Sequence, residues 1–211
     1  MDPLDKVILS SLYLTHLEPG ISPFNRIRAR IPLDKKFYES KVSILERRGL
    51  VEKYNDESKL TFIGRDALKV VLVGGVFDLI HPGHIHTLKA AKAQGDILVV
   101  VVATTSTAMK IKKDRKIYHD ENTRRELVAS LSFVDWAIIG KEGTLYDTVE
   151  YVKPDIIALG YDQAHSEKDI SDNCKRRNLN VRVVRLNTPI PRTKSSAIKN
   201  ELGEGDSFYK I

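Results

Sequence analysis

The stretch Lys69–Val102, "KVVLVGGVFDLIHPGHIHTLKAAKAQGDILVVVV", decides the fold. "KVVLVGGVF" is a nearly continuous apolar run, as expected of a strand covered on both faces. "GHIHTLKAAKAQG" carries a helical pattern that Gly95 ends, and "DILVVVVATT" is a second buried strand. A strand, a helix and a second two-sided strand predict a parallel pair with a crossover.

The same alternation continues to the end of the chain. "ENTRRELVASLSF" reads as helix and "VDWAIIG" as a third strand. "GTLYDTVEYVK" and "EKDISDNCKRRN" read as helices, "PDIIALG" and "LNVRVVRL" as the fourth and fifth strands, and "KSSAIKNEL" as a terminal helix. Five such strands predict an open, parallel α/β sheet over residues 67–211.

Residues 1–66 follow another pattern. "DPLDKVILSSLYLTHL" has a helical apolar face, Ser22-Pro23 is a helix start, and "LDKKFYESKVSILERRGLV" is helical up to Gly49. "LVEKY" and "KLTF" then flank a polar turn as two short strands. Three helices followed by a hairpin resemble a winged helix-turn-helix domain. That resemblance implies a third helix entering the DNA major groove, with Lys35, Lys36, Lys41, Ser43, Arg47 and Arg48 displayed on it. The alternative is a solvated helix face on a docking or dimerisation module. The segment holds 12 Lys and Arg against 10 Asp and Glu, so its charge alone does not decide. The junction near residues 64–69 is short, which predicts that the two parts pack together.

Bulk composition narrows the classes. The chain is 42% hydrophobic and 29% charged, with net charge +6, as for a globular protein that binds anionic ligands. The start has acids among its apolar residues and no basic leader, so no signal peptide is expected. No apolar run is long enough for a membrane span. Cys174 is the lone cysteine, so no internal disulfide can form and a reducing cytoplasm is the simplest setting.

Three stretches fall at the carboxyl ends of the expected strands, where open α/β sheets bind ligands. They are "GVFDLIHPGH", "GYDQ" and "PRTKSS". In the first, Gly74 and Gly75 allow close backbone approach, and Pro82 opens a helix. His81 and His84 lie at that helix N-terminus, where free N–H groups and the dipole attract phosphate. The stretch matches neither a Walker A loop nor a GxGxxG fingerprint. His84 and His86 are two apart on a helix and face different ways, so no zinc site is expected.

"GVFDLIHPGHIHTL" resembles the GTFDxxHxGHxxxL signature of the cytidylyltransferase-like nucleotidyltransferases. The resemblance spans residues 69–202, and implies a five-stranded parallel Rossmann-like domain. Gly75, Val76, Phe77, Asp78, His81 and His84 would contact nucleotide. Asp78 would orient a histidine or hold metal through water. Lys112, in the loop after the second strand, and Arg124, eleven residues before Asp135, match the family's next cationic elements. Arg192, Thr193, Ser195 and Ser196 match its RTxG(I/V)S(T/S) element, shortened by two residues. The contraction leaves open whether Arg192 or Lys194 reaches the phosphates.

The implied chemistry needs no enzyme nucleophile. A phosphomonoester oxygen attacks the α-phosphorus of a nucleoside triphosphate, and pyrophosphate leaves. His81 and His84 would donate to phosphate, Lys112, Arg124 and Arg192 would neutralise charge, and Mg²⁺ or another divalent cation would arrive with ATP. "PDIIALGYDQ" resembles the archaeal FAD synthetase branch, in which Gly160, Tyr161, Asp162 and Gln163 would line the base or acceptor pocket. That branch implies ATP and FMN as substrates; a homodimer is expected. The alternatives are a cytidylyltransferase acting on glycerol 3-phosphate or a polyol phosphate, and a transcription regulator whose α/β domain senses a nucleotide.

Overall fold

In a computed structural model, the chain is described over residues 1–55, 57–112, 116–141, 143–161, 163 and 165–187, with the backbone alone at 111 and 112. The expected terminal helix, and the site residues from Arg192 onward, lie outside the described residues.

The N-terminal part contains α1 (Pro3–Leu17), α2 (Pro23–Arg28), α3 (Lys35–Arg47), β1 (Val51–Tyr54), β2 (Glu57–Leu60) and α4 (Phe62–Asp66). Local chemistry sets these boundaries. The side chains of Asp2, Ser22 and Asp34 accept the N–H groups of Leu4, Asn25 and Phe37, each capping a helix N-terminus. Gly49, at φ +71°, follows α3 where a side chain would be strained. β1 and β2 pair antiparallel from Val51↔Leu60 to Tyr54↔Glu57. The three helices and hairpin thus occur in the expected order.

The second part holds β3 (Val70–Gly75), α5 (Pro82–Lys92), β4 (Ile97–Val102), α6 (Thr105–Lys112) and α7 (Glu121–Ala129). It continues with β5 (Trp136–Ile139), α8 (Leu145–Val152), β6 (Ile156–Leu159), α9 (Glu167–Arg176) and β7 (Arg182–Arg185). The sheet is parallel throughout, in the order β5-β4-β3-β6-β7. The chain steps outward from β3 through β4 to β5, then returns to the other side of β3 for β6 and β7. The order therefore reverses between β3 and β6. All five expected strands are present, and β4 is buried along its whole length.

One helix differs from the sequence reading. Residues 105–112, taken as loop, form α6, so Lys112 ends a helix instead of lying in a connection. Thr104 Oγ1 accepts the Thr107 N–H at 3.2 Å, and Ala108 is buried beneath the helix.

The two parts share one core. Ile8, Leu9, Leu12 and Tyr13 of α1 pack in the same cluster as Leu72 and Val99 of the sheet and Val149 and Val152 of α8. Full burial of residues such as Ile8 and Leu9 contributes roughly 1.5–3 kcal/mol each. Tyr13 Oη donates to the Val152 carbonyl at 2.5 Å, and Tyr151 Oη donates to the Leu17 carbonyl. Burial pushes the Tyr13 phenol well above its usual range, which keeps it a neutral donor.

Polar contacts cluster at the amino ends of the strands. Asp96, Asp135 and Asp155 each accept an N–H at or just before the start of a neighbouring strand, from Lys69 (2.9 Å), Leu98 (2.7 Å) and Val70 (2.7 Å) respectively. Each also receives a cation from the N-terminal part: Lys6 at 2.6 Å, Arg30 at 3.0 Å and Arg65 at 3.2 Å. Lys92 adds a second cation to Asp135 at 2.6 Å.

Asp155→Ala removes the acceptor of the fully buried Val70 N–H and the anion facing Arg65. The expected loss is about 1–3 kcal/mol of unfolding free energy. Urea unfolding should show a lower midpoint with an unchanged slope.

Candidate active site

Residues Gly74–His84 leave the carboxyl end of β3 as a tight, ordered turn. The Gly75 carbonyl accepts the Ala103 N–H at 2.9 Å, which continues the pairing with β4. Phe77 has φ +53°, a left-handed conformation unusual for a bulky residue. That twist folds its ring back over Gly75, where an added Cβ would lie 2.7 Å from ring carbons. The same ring meets His84, with centroids 5.2 Å apart. Phe77 thus spaces the strand from the histidines. Around Gly74, an added Cβ would meet nothing within 4 Å, so this backbone can be approached closely.

His81 is the N-cap residue of α5, and its imidazole makes no capping bond. Its carbonyl accepts the N–H groups of His84 at 2.9 Å and Ile85 at 3.3 Å. The two imidazoles stack with centroids 3.9 Å apart, so both point to the same side of the helix start. His86 is half-buried farther along α5, in an open groove of about 500 Å³ with Ile85 and Lys89.

Asp78 is buried, and its Oδ1 accepts the N–H groups of Tyr118 at 2.9 Å and His119 at 3.0 Å. His119 Nδ1 lies 2.9 Å from the Asp78 carbonyl. The carboxylate therefore ties the segment before α7 to the β3 turn.

Arg124, on α7, is completely buried. Its Nη1 donates to the carbonyls of Val76 at 2.7 Å and Ala103 at 2.8 Å, and its Nε to that of His119 at 3.0 Å. Nη2 has no hydrogen-bond partner among the described residues. Burial pushes the guanidinium pKa down, and the carboxylates of Asp78, Glu121 and Asp120 act against that shift. The β3 exit, the β4 exit and the loop before α7 meet on this one side chain. Thr105 adds a hydroxyl bond to Glu121, joining α6 to α7.

At the end of β6, Gln163 reaches across the reversal in strand order. Its amide nitrogen donates to the Gly74 carbonyl at 2.7 Å, while its oxygen accepts the Gly160 N–H at 3.2 Å. The "GYDQ" loop is thereby joined to the histidine-bearing turn. Gly75, Val76, Phe77, Asp78, His81, His84, Arg124, Gly160, Tyr161 and Gln163 all belong to the carboxyl-end loops of β3 and β6 or to the helix beneath them. Asp162, Arg192, Thr193, Ser195 and Ser196, and the Lys112 side chain, lie outside the described residues. Arg185, at the end of β7, was missed by sequence reasoning. It makes four bonds to the loop between β6 and the start of α9.

Residues 72–201 match the family described as Cytidylyltransferase-like. The chain belongs to that family. This nucleotidyltransferase domain is 49% identical over 116 residues to an FAD synthase of Aciduliprofundum boonei, covering 55% of this chain and 76% of the relative. An FAD synthase of Picrophilus torridus is 45% identical over 127 residues, which cover 60% of this chain and 90% of the relative. A crystal structure described as the lipopolysaccharide core biosynthesis protein of Thermoplasma volcanium is 45% identical, with a TM-score of 0.55. It covers 57% of this cytidylyltransferase-like chain, which spans 98% of that structure.

Asp78→Ala leaves the N–H groups of Tyr118 and His119 without their acceptor. Hydrogen exchange at these two amides should accelerate about tenfold, the equivalent of one lost bond. Asp78→Asn keeps an oxygen acceptor and should retain most of the protection.

Proposed function

We propose that the chain transfers the adenylyl group of ATP to FMN, releasing FAD and pyrophosphate. The observation that carries this reading is the Gln163 bond to Gly74, which joins the "GYDQ" loop to the two stacked histidines. The relatives named FAD synthase support it, since the matched region spans most of their length.

The reaction requires one P–O bond to form and one to break. A phosphate oxygen of FMN attacks the α-phosphorus of ATP, and the bond to the β-phosphate oxygen breaks as pyrophosphate leaves with the electron pair. FMN brings its own anionic nucleophile, so the protein's work is positioning and charge stabilisation. His81 and His84 donate hydrogen bonds to the phosphates from one side of the α5 start. Lys112 and Arg192 supply fixed positive charge to the substrate phosphate and leaving pyrophosphate, and Thr193, Ser195 and Ser196 complete the phosphate contacts. Arg124 supports the site from below, with Nη2 as the group left for a phosphate. Gly75, Val76, Phe77, Asp78, Gly160, Tyr161, Asp162 and Gln163 form the nucleotide and acceptor walls.

No three His, Cys, Asp or Glu residues gather into a metal-holding group among the described residues. The carboxylate of Asp78 is bound by two backbone N–H groups. In this reading Mg²⁺ enters as part of the MgATP substrate, held mainly by phosphate oxygens.

For the N-terminal part, DNA binding rests on α3. Lys35, Lys36, Ser43 and Arg47 are exposed along it, whereas Lys41 turns back to Asp2 at 2.8 Å and leaves that surface. The same reading places the protein in the cytoplasm, and sedimentation equilibrium tests the homodimer that accompanies it.

Incubation with Mg²⁺ and ATP or CTP against FMN, glycerol 3-phosphate and other phosphomonoesters tests the chemistry by pyrophosphate release. Release with ATP plus FMN is expected. Release only with CTP and a polyol phosphate overturns the substrate assignment, and no release with any pair favours a nucleotide sensor. His84→Ala should lower turnover at least ~10²-fold, the usual loss for one transition-state donor, with an unchanged urea midpoint. An electrophoretic shift assay at low salt, with and without FMN, FAD and ATP, tests α3. Absence of any shift ends the DNA reading.

A further inference from the structure

Arg185 is the last residue of β7, and its guanidinium is turned toward the neighbouring β6–α9 loop. Nη1 donates to the carbonyls of Gly160 and Gln163, each at 3.0 Å. Nη2 donates to the His165 carbonyl at 2.6 Å, and Nε to the Glu167 carboxylate at 3.0 Å. These acceptors run from the first residue after β6 to the first residue of α9. One side chain thus holds both ends of the loop and its middle.

The fork matters to this arrangement. A guanidinium presents its donors in a fixed plane, so it can serve several carbonyls at set angles, which a single ammonium cannot. A trans peptide turns its N–H away from its C=O. Holding the Gly160 and His165 carbonyls toward Arg185 therefore turns the N–H groups of Tyr161 and Ser166 the other way. The held loop also carries Gln163, whose amide reaches the Gly74 carbonyl at the β3 exit. A continuous chain of bonds runs from β7, through the loop, to the turn that bears His81 and His84. No bond in that chain depends on a side chain outside the described residues.

We propose that Arg185 is a positioning residue for substrate binding, acting through the loop at residues 160–167. Its kinetic consequence rests on the adenylyl-transfer reading above. Its structural consequence does not.

The test compares the full-length wild type with Arg185→Ala and Arg185→Lys. Hydrogen exchange should rise within residues 160–167 of Arg185→Ala and stay unchanged in β3, β4 and α1. In steady-state assays with ATP and FMN, the KM of one or both substrates should rise roughly tenfold or more while kcat falls less than threefold, the pattern of lost binding geometry. Arg185→Lys should recover only part of the loss, and millimolar guanidinium should restore Arg185→Ala. A merely structural role predicts kcat reduced with the folded fraction, KM unchanged and no rescue. That result, or unchanged exchange in the loop, overturns the proposal. If the wild type turns over no FMN, the adenylyl-transfer reading fails, and the exchange measurement still decides whether Arg185 holds the loop.

Discussion

A parallel sheet leaves backbone N–H groups at its amino edge that no strand can satisfy, and this protein answers with carboxylates. Asp96, Asp135 and Asp155 stand in the turns that enter β4, β5 and β6, and each accepts an N–H at or just before the start of the adjacent strand. An N–H left unpaired on burial costs about 1–3 kcal/mol, so the part-buried bonds to Val70 and Leu98 help hold the strand starts in place. They also concentrate negative charge along one edge. Lys6, Arg30 and Arg65 of the N-terminal part neutralise that charge. One constraint thus closes the sheet and seats the N-terminal part.

The carboxyl edge follows the opposite logic. Its turns must stay open to a ligand, so they are held from beneath and from the side. Asp78 holds the segment before α7, Arg124 gathers three carbonyls, Gln163 bridges β3 and β6, and Arg185 gathers three more. By residue type, several of these look like groups that act on substrate. Their bonds show that most of their capacity is spent on backbone. The His81 imidazole makes no capping bond at the helix it begins, and it stacks on that of His84. The division is economical for phosphoryl-transfer chemistry, where rigid placement of donors contributes more than any nucleophile.

Much of this was legible in the sequence, for physical reasons. Strands buried on both faces must be apolar at every position, which made β3 and β4 unmistakable. Ser22 and Pro23 start a helix by local chemistry that needs no tertiary context. The helix α6 was hidden because its lysines and small polar residues carry little hydrophobic periodicity, and its place depends on Ala108 meeting the core. Arg185 was hidden for a different reason. In "LNVRVVRL" it reads as one more polar residue on an edge strand, and only the parallel pairing of β7 with β6 brings the β6–α9 loop beside it. The complete burial of Arg124 was equally invisible, since spacing identifies a helix position and not the carbonyls that surround it.

The separation of the two edges limits how the parts of the molecule can communicate. The bonds from the N-terminal part reach the turns at Asp96, Asp135 and Asp155 and the end of α8, all at the amino edge. The histidines stand beyond the other end of β3, a strand of six residues and therefore roughly 20 Å long. No described bond of α3 touches the carboxyl-edge turns. Coupling would have to pass through a two-state element that both ends share. The central strands β3 and β4 are poor candidates, being buried along most or all of their length. At the α1–α8 contact, Tyr13 and Tyr151 each donate one hydroxyl bond across the junction, which ties the N-terminal part to the entry of β6.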